Sequence, residues 1–192
     1  MDTLLQESTP VGWVPHVLKD FNAFLLDHAS CERKAAALAM SLVVKYPDRQ
    51  ALIKPMVSLA REELLHFQQV FRLVRARKLI LPLKDQKDEY INLIMETLRH
   101  GREERFLDRL IMSGLVEARG EERFRILSEH LEDPLLKQFY KELSIREAGH
   151  CQIFLRIAQR YFAEEIVQEC IFRLSEIESR AMLKTPFGPK LH

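Results

Sequence analysis

Apolar residues recur at steps of three and four along five stretches of the chain, the spacing that lines one face of an α-helix. Phe21, Leu25, His28, Glu32, Ala36, Ala39 and Val43 share the first such face. Pro15 suits a first helical turn and Tyr46-Pro47-Asp48 is a stop, so the pattern predicts a helix from about 15 to 45. A second helix is expected from Asp48, a good N-cap, to Lys78, with Met56, Leu59, Glu63, His66, Val70 and Leu73 inward and Pro55 a kink or the start of its regular part. The third covers about 103 to 130 through Leu107, Leu110, Gly114, Glu117, Glu121 and Phe124. The fourth opens at Asp133-Pro134 and carries Leu136, Tyr140, Leu143, Glu147, His150, Phe154, Ile157 and Tyr161. A fifth, from about 163 to 182, uses Ile166, Cys170, Phe172, Leu174 and Ile177. A short helix between Asp88 and Leu98 interrupts the connection 79–101. Residues 1–14 form an irregular lead-in and 184–192 an irregular tail, with His192 expected to be disordered.

These stripes contain polar residues that an apolar face does not welcome. An ionised carboxylate there is costly unless it is paired or bound to a metal, and for Glu32 alone a buried ion pair explains it equally well. Glu63-Leu-Leu-His66 is more specific, because residues three apart on a helix project to one side, and the tetrapeptide returns as Glu147-Ala-Gly-His150. Glu32 precedes the first motif by nearly the interval at which Glu117 precedes the second. His66-Phe-Gln68 and His150-Cys-Gln152 extend the match. The chain therefore reads as two copies of one helical hairpin.

One Glu from each of two helices plus Glu-x-x-His from each of two others is the inward ligand set of ferritin-like di-iron carboxylate bundles. The expected fold is all-α, a ferritin-like four-helix bundle in one domain over 1–192. The connection 79–101 would be the long crossover between the second and third helices, and the fifth an additional C-terminal helix. Glu32, Glu63, His66, Glu117, Glu147 and His150 are the candidate catalytic residues and metal ligands. Their oxygen and imidazole donors suit two iron ions, with manganese also accommodated. His28 reads as a core histidine and Glu121 as a partner for a nearby Arg. Ser113, Gly114 and Gly120 serve equally for a cavity or for close helix packing.

Hydrophobic residues make up 47% and charged ones 30% of 192 residues, ordinary for a water-soluble helical protein. A formal net charge of +1 leaves any nucleic-acid contact to a local patch. Arg99, Arg102, Arg105 and Arg109, with Arg156, Arg160, Lys45, Arg49 and Lys54, would supply a basic end, although acidic neighbours make a mixed solvated surface as probable on sequence alone. Cys31, Cys151 and Cys170 form no CxxC pair and fit a reducing compartment. The first residues lack the basic-then-apolar pattern of a signal peptide, and no apolar run approaches the roughly 20 residues a membrane span needs. The expected location is the cytoplasm, as a monomer.

Four strings carry a closer likeness: Cys31-Glu-Arg-Lys-Ala-Ala, Arg61-Glu-Glu-Leu-Leu-His-Phe, Gly114-Leu-Val-Glu-Ala-Arg-Gly-Glu-Glu-Arg-Phe and Arg146-Glu-Ala-Gly-His-Cys-Gln. They resemble the MiaE family of tRNA hydroxylases over about residues 10 to 180. That resemblance implies a non-haem di-iron monooxygenase acting on the isopentenyl group of 2-methylthio-N6-isopentenyladenosine in tRNA, beside the anticodon. It would consume dioxygen and take electrons from a separate reductase. All six candidate ligands fall on the family's positions. The alternatives are a ferritin-like ferroxidase or iron-binding protein, and a di-iron oxidase with another substrate.

Overall fold

The structure, a computed structural model, describes residues 4–85 and 87–192. Residues 1–3 of the expected lead-in and residue 86 of the expected connection lie outside the described residues. Among the described residues there are seven helices and no strand, as an all-α chain requires. They fall into two compact units, one of residues 15–87 and 187–191, the other of residues up to 14, 88–186 and 192.

The first of these units is built on α2 (Phe21–Lys45) and α3 (Gln50–Ala76), which pack as a hairpin. The helix expected over 15–45 is in fact two, with α1 (Trp13–Lys19) ahead of α2. Asp20 leaves the helical region at φ −138°, and its side chain accepts the Ala23 N–H at 3.0 Å, so a side-chain cap replaces a backbone turn. Asp48 is not the cap of α3. Arg49 holds that position, and its N–H donates to the Tyr46 carbonyl at 3.0 Å, which leaves Pro47-Asp48 in a turn before the helix. Pro55 lies inside α3. Lys78 ends α3 in the left-handed conformation, φ 58°, with Leu79 N–H donating back to the Val74 carbonyl at 3.1 Å, a stop that glycine normally supplies. Leu25, Ala36, Ala39 and Leu42 on α2, with Leu52, Met56, Leu59, Val70 and Val74 on α3, are buried.

The other unit holds α4 (Glu89–Met95), α5 (Arg102–His130), α6 (Pro134–Tyr161) and α7 (Glu164–Lys184). Asp133 accepts the Leu135 and Leu136 N–H groups at 2.8 and 3.2 Å and Asp88 accepts Ile91 N–H at 3.0 Å, caps worth about 1 kcal/mol each. α5 and α6 form the second hairpin, and α7 packs on α4 and α5. Gly114 faces α6, where an added Cβ would make ordinary contacts of 3.6 Å with the Cys151 carbonyl and Phe154 Cβ. Ile166 and Phe172 are exposed, at 48% and 69%, contrary to the expected stripe of the fifth helix. The buried face of α7 instead carries Val167, Cys170, Leu174, Glu178 and Ala181.

That face is rotated because it hosts charge. Arg119 is fully buried; its Nε and Nη2 donate to the two oxygens of Glu178 at 2.8 and 3.0 Å, and its Nη1 to Glu122 at 2.6 Å. Tyr90 O–H adds a bond to Glu178 at 2.9 Å, and Thr9 caps Glu122 through its N–H and hydroxyl. A second cluster surrounds buried Asp108, which accepts from Arg99 N–H and guanidinium (2.9 and 2.6 Å), from Arg173 (2.5 Å) and from the Cys170 thiol (3.2 Å). Arg99 pairs with Asp108 but stays exposed, whereas Arg109 is buried and so leaves the expected basic end. The tail is irregular but placed: Leu191 N–H donates to Asp27 at 2.8 Å, and the His192 ring stacks on Tyr90 with centroids 5.3 Å apart, so His192 is not disordered. No helix among the described residues is long and apolar enough to cross a membrane.

Candidate metal centre

Each hairpin turns one half of the six-residue set inward. In the unit of α2 and α3, Glu32, Glu63 and His66 are each no more than 3% exposed. The helical repeat puts Glu63 and His66 one turn apart, and packing of α2 against α3 brings Glu32 to them. His66 Nδ1 stands 3.4 Å from Glu63 Oε2 and 3.7 Å from Glu32 Oε2. The other Glu32 oxygen, Oε1, accepts a bond of 2.6 Å from His28 Nε2.

Burial alone would raise the Glu32 pKa; the hydrogen bond from His28, with the His66 imidazole close by, overcomes it and holds this carboxyl well below the usual carboxylate range. The ionised form is the one a metal needs. His28, read from sequence as a core histidine, therefore touches a candidate ligand directly. Its signal was visible in the i, i+4 spacing to Glu32, which puts imidazole and carboxylate on one face.

In the unit of α5 and α6, Glu147 and His150 are buried and His150 Nδ1 stands 2.9 Å from Glu147 Oε2. Glu117 is half-buried. Together with Glu121 it adds negative charge beside Cys151, whose thiol is pushed up to about 12 by burial first and by these carboxylates second. Such a thiol stays protonated and inert. Glu121 also stands 3.7 Å from Arg125, the local partner expected for it, and burial raises its pKa. The three cysteines are thiols and not disulfides, and Cys31 points its thiol at Asp27.

The donor chemistry fits a metal. Ligand atoms held at right angles about 2.1 Å from one ion lie roughly 3 Å apart, near the 2.9 to 3.7 Å separations of these carboxylate and imidazole atoms. Glu63 with His66 in one unit, and Glu147 with His150 in the other, are each a buried carboxylate–imidazole pair of the kind that could bind a metal ion.

All-helical architecture with inward Glu and His pairs on two hairpins defines a ferritin-like protein whose buried carboxylates and imidazoles could bind metal. The model of the family described as tRNA-(MS[2]IO[6]A)-hydroxylase (MiaE) matches residues 1–192, and the chain belongs to that family. A tRNA 2-(methylsulfanyl)-N(6)-isopentenyladenosine(37) hydroxylase of Pseudomonas putida is 36% identical over 181 residues, 93% of this chain and 87% of that protein. The protein of the same name from Salmonella typhimurium is 31% identical over 207 residues, 82% of this chain and 76% of that one. A solved structure, protein 43 with aldehyde deformylating oxygenase activity from Synechococcus, matches with a TM-score of 0.93 and 32% identity over 98% of this chain and 95% of its own.

Proposed function

We propose that this protein is a dioxygen-dependent di-iron monooxygenase that hydroxylates the isopentenyl side chain of 2-methylthio-N6-isopentenyladenosine in tRNA, next to the anticodon. The observation that carries the reading is the pair of buried carboxylate–imidazole half-sets at matching points of two hairpins, in a chain of this family. Glu32, Glu63 and His66 would hold one iron and Glu117, Glu147 and His150 the other, the chain acting as a single domain. The bound metals supply activation of dioxygen and insertion of one of its atoms into a C–H bond, with the electrons brought by an external reductase.

The chain's own residues orient and protect. Imidazole and carboxylate groups are held in position by helix geometry, and burial keeps bulk water from Glu32, Glu63, His66, Glu147 and His150. Cys151, next to His150, is buried and is not among the proposed ligands. The protein is expected to act as a monomer in the cytoplasm, where its tRNA substrate is found.

The test is mass spectrometry of nucleosides from isopentenylated tRNA after incubation with iron-loaded protein, reductant and labelled dioxygen. A gain of one labelled oxygen on the modified adenosine is the expected result. Likeness to a protein with aldehyde deformylating oxygenase activity supports a second reading, in which the same centre acts on an aldehyde. Unchanged nucleosides together with loss of a long-chain aldehyde in a parallel reaction would replace the first reading by the second.

A further inference from the structure

The unit of α2 and α3 contains a cavity of about 330 Å³ that the candidate metal centre does not use. Ala23, Leu26, Asp27 and Ser30 form its α2 wall, at the steps of three and four that share one helix face. Ser30 and Glu32 are two residues apart, about 200° around the helix axis, so the cavity lies on the side of α2 turned away from Glu32. Pro82, Lys84 and Asp85 of the connection and Pro189 and Lys190 of the tail complete the lining.

Ser30 is the anomaly in that wall. Other serine hydroxyls in these helices donate to a carbonyl about one turn back, Ser41 to Leu38, Ser113 to Arg109, Ser128 to Arg125 and Ser144 to Lys141, at 2.7 to 3.0 Å. Ser30 is only 4% exposed, and its Oγ has no hydrogen-bond partner among the described residues. A buried hydroxyl without a partner is costly, and this one lines a cavity whose walls are mostly apolar. The charged groups around it are unequally engaged. Asp85 accepts from the Arg33 guanidinium at 2.8 Å and Asp27 from the Leu191 N–H at 2.8 Å, so each carboxylate already has a donor. Lys84 is exposed and has no carboxylate partner among the described residues.

We propose that this cavity binds a small monocarboxylate with an apolar body. The carboxylate accepts from the Ser30 hydroxyl and from the Lys84 ammonium, and the body rests on Ala23, Leu26, Pro82 and Pro189. Such an anion gives the buried hydroxyl its acceptor and the Lys84 charge its counter-charge, whereas a cation would meet two carboxylates that already hold donors. The volume equals the share of about eleven waters at roughly 30 Å³ each, which admits a ligand of about ten non-hydrogen atoms. It stands at the lower end of the volumes that small-molecule sites occupy. The site does not depend on the metal-binding reading of the six residues.

The test titrates full-length protein with octanoate, a probe of that size, and follows amide NMR shifts, with octanol and octylammonium as controls of equal chain length. Saturable shifts centred on Ser30, Lys84 and Lys190 are expected, with octanoate bound about fivefold or more tighter than either control. Ser30→Ala should weaken octanoate about three- to tenfold, and Lys84→Gln about fivefold. In ligand-free protein Ser30→Ala should leave the urea midpoint unchanged or raised, because the hydroxyl it removes has no partner to lose. A lowered midpoint would show the hydroxyl already engaged and overturn the proposal. Absence of saturable shifts, either control binding as tightly as octanoate, or undiminished octanoate binding in either variant would overturn it equally.

Discussion

Replacing Glu178 by alanine should be among the most destabilising single changes in this protein that leave the proposed metal ligands intact. The carboxylate has no exposure to water, and it accepts two bonds from Arg119 and one from Tyr90, at 2.8, 3.0 and 2.9 Å. Removing it leaves Arg119 with Glu122, Thr9 and the Glu7 carbonyl, so the guanidinium keeps part of its support but loses its bidentate partner. Breaking one side of a buried pair costs about 3–5 kcal/mol. For a chain of this size each kcal/mol lowers Tm by about 2–4 °C, so a fall of roughly 6 °C or more is expected.

Urea unfolding of wild type, Glu178→Ala, Arg119→Met and the combined Arg119→Met, Glu178→Leu protein measures it. The combined variant should recover part of the single losses, because the Arg119–Glu178 pair is removed as a unit, although Glu122 then keeps only Thr9 and Tyr90 loses its acceptor. A cost under about 1 kcal/mol for Glu178→Ala, or purely additive losses in the combined protein, would refute the reasoning.

Three further outcomes follow from the same structure. Glu32→Ala or Glu117→Ala should each lower the iron bound per chain while far-ultraviolet circular dichroism stays helical; full iron content in both variants would overturn the ligand assignment. Binding of tRNA should weaken linearly in log–log plots against salt, and affinity that is flat between 50 and about 200 mM salt would exclude phosphate contacts as its source. Asp108 is the third case. Burial pushes its carboxyl pKa up, but the bonds from Arg99 and Arg173 win and hold it below its ordinary value, so its contribution is complete above about pH 4 and is lost as pH falls through the lowered folded pKa. Asp108→Asn should therefore be destabilised at pH 7, with the gap to wild type closing in unfolding curves taken below pH 4. A gap that widens there would contradict this sign.

Periodicity and caps carried most of the helical layout. The steps of three and four placed Glu32, Glu63, His66, Glu147 and His150 on buried faces, and Asp88 and Asp133 marked helix starts that the structure retains. Those features are local, set by the 3.6-residue repeat and by one side chain meeting a backbone N–H within three residues, so they can be read from a single sequence. The break at Asp20 is also local, yet it escaped notice because an aspartate inside an apolar pattern competes with the helix only when its own turn yields.

What the sequence by itself determined, then, was most of the helical layout and the buried faces that carry Glu32, Glu63, His66, Glu147 and His150. What only tertiary structure decided was where charge is paired. Arg119 and Glu178 lie on different helices, as do Asp108 and Arg173, and within a charge-rich helix such as α5 each reads as one more solvated residue. Packing of α7 on α5 buries Glu178 while Phe172 stays exposed, and brings Arg173 to the buried Asp108. Whether a charge meets water or a partner depends on which residues distant in the chain arrive beside it. No local pattern holds that information.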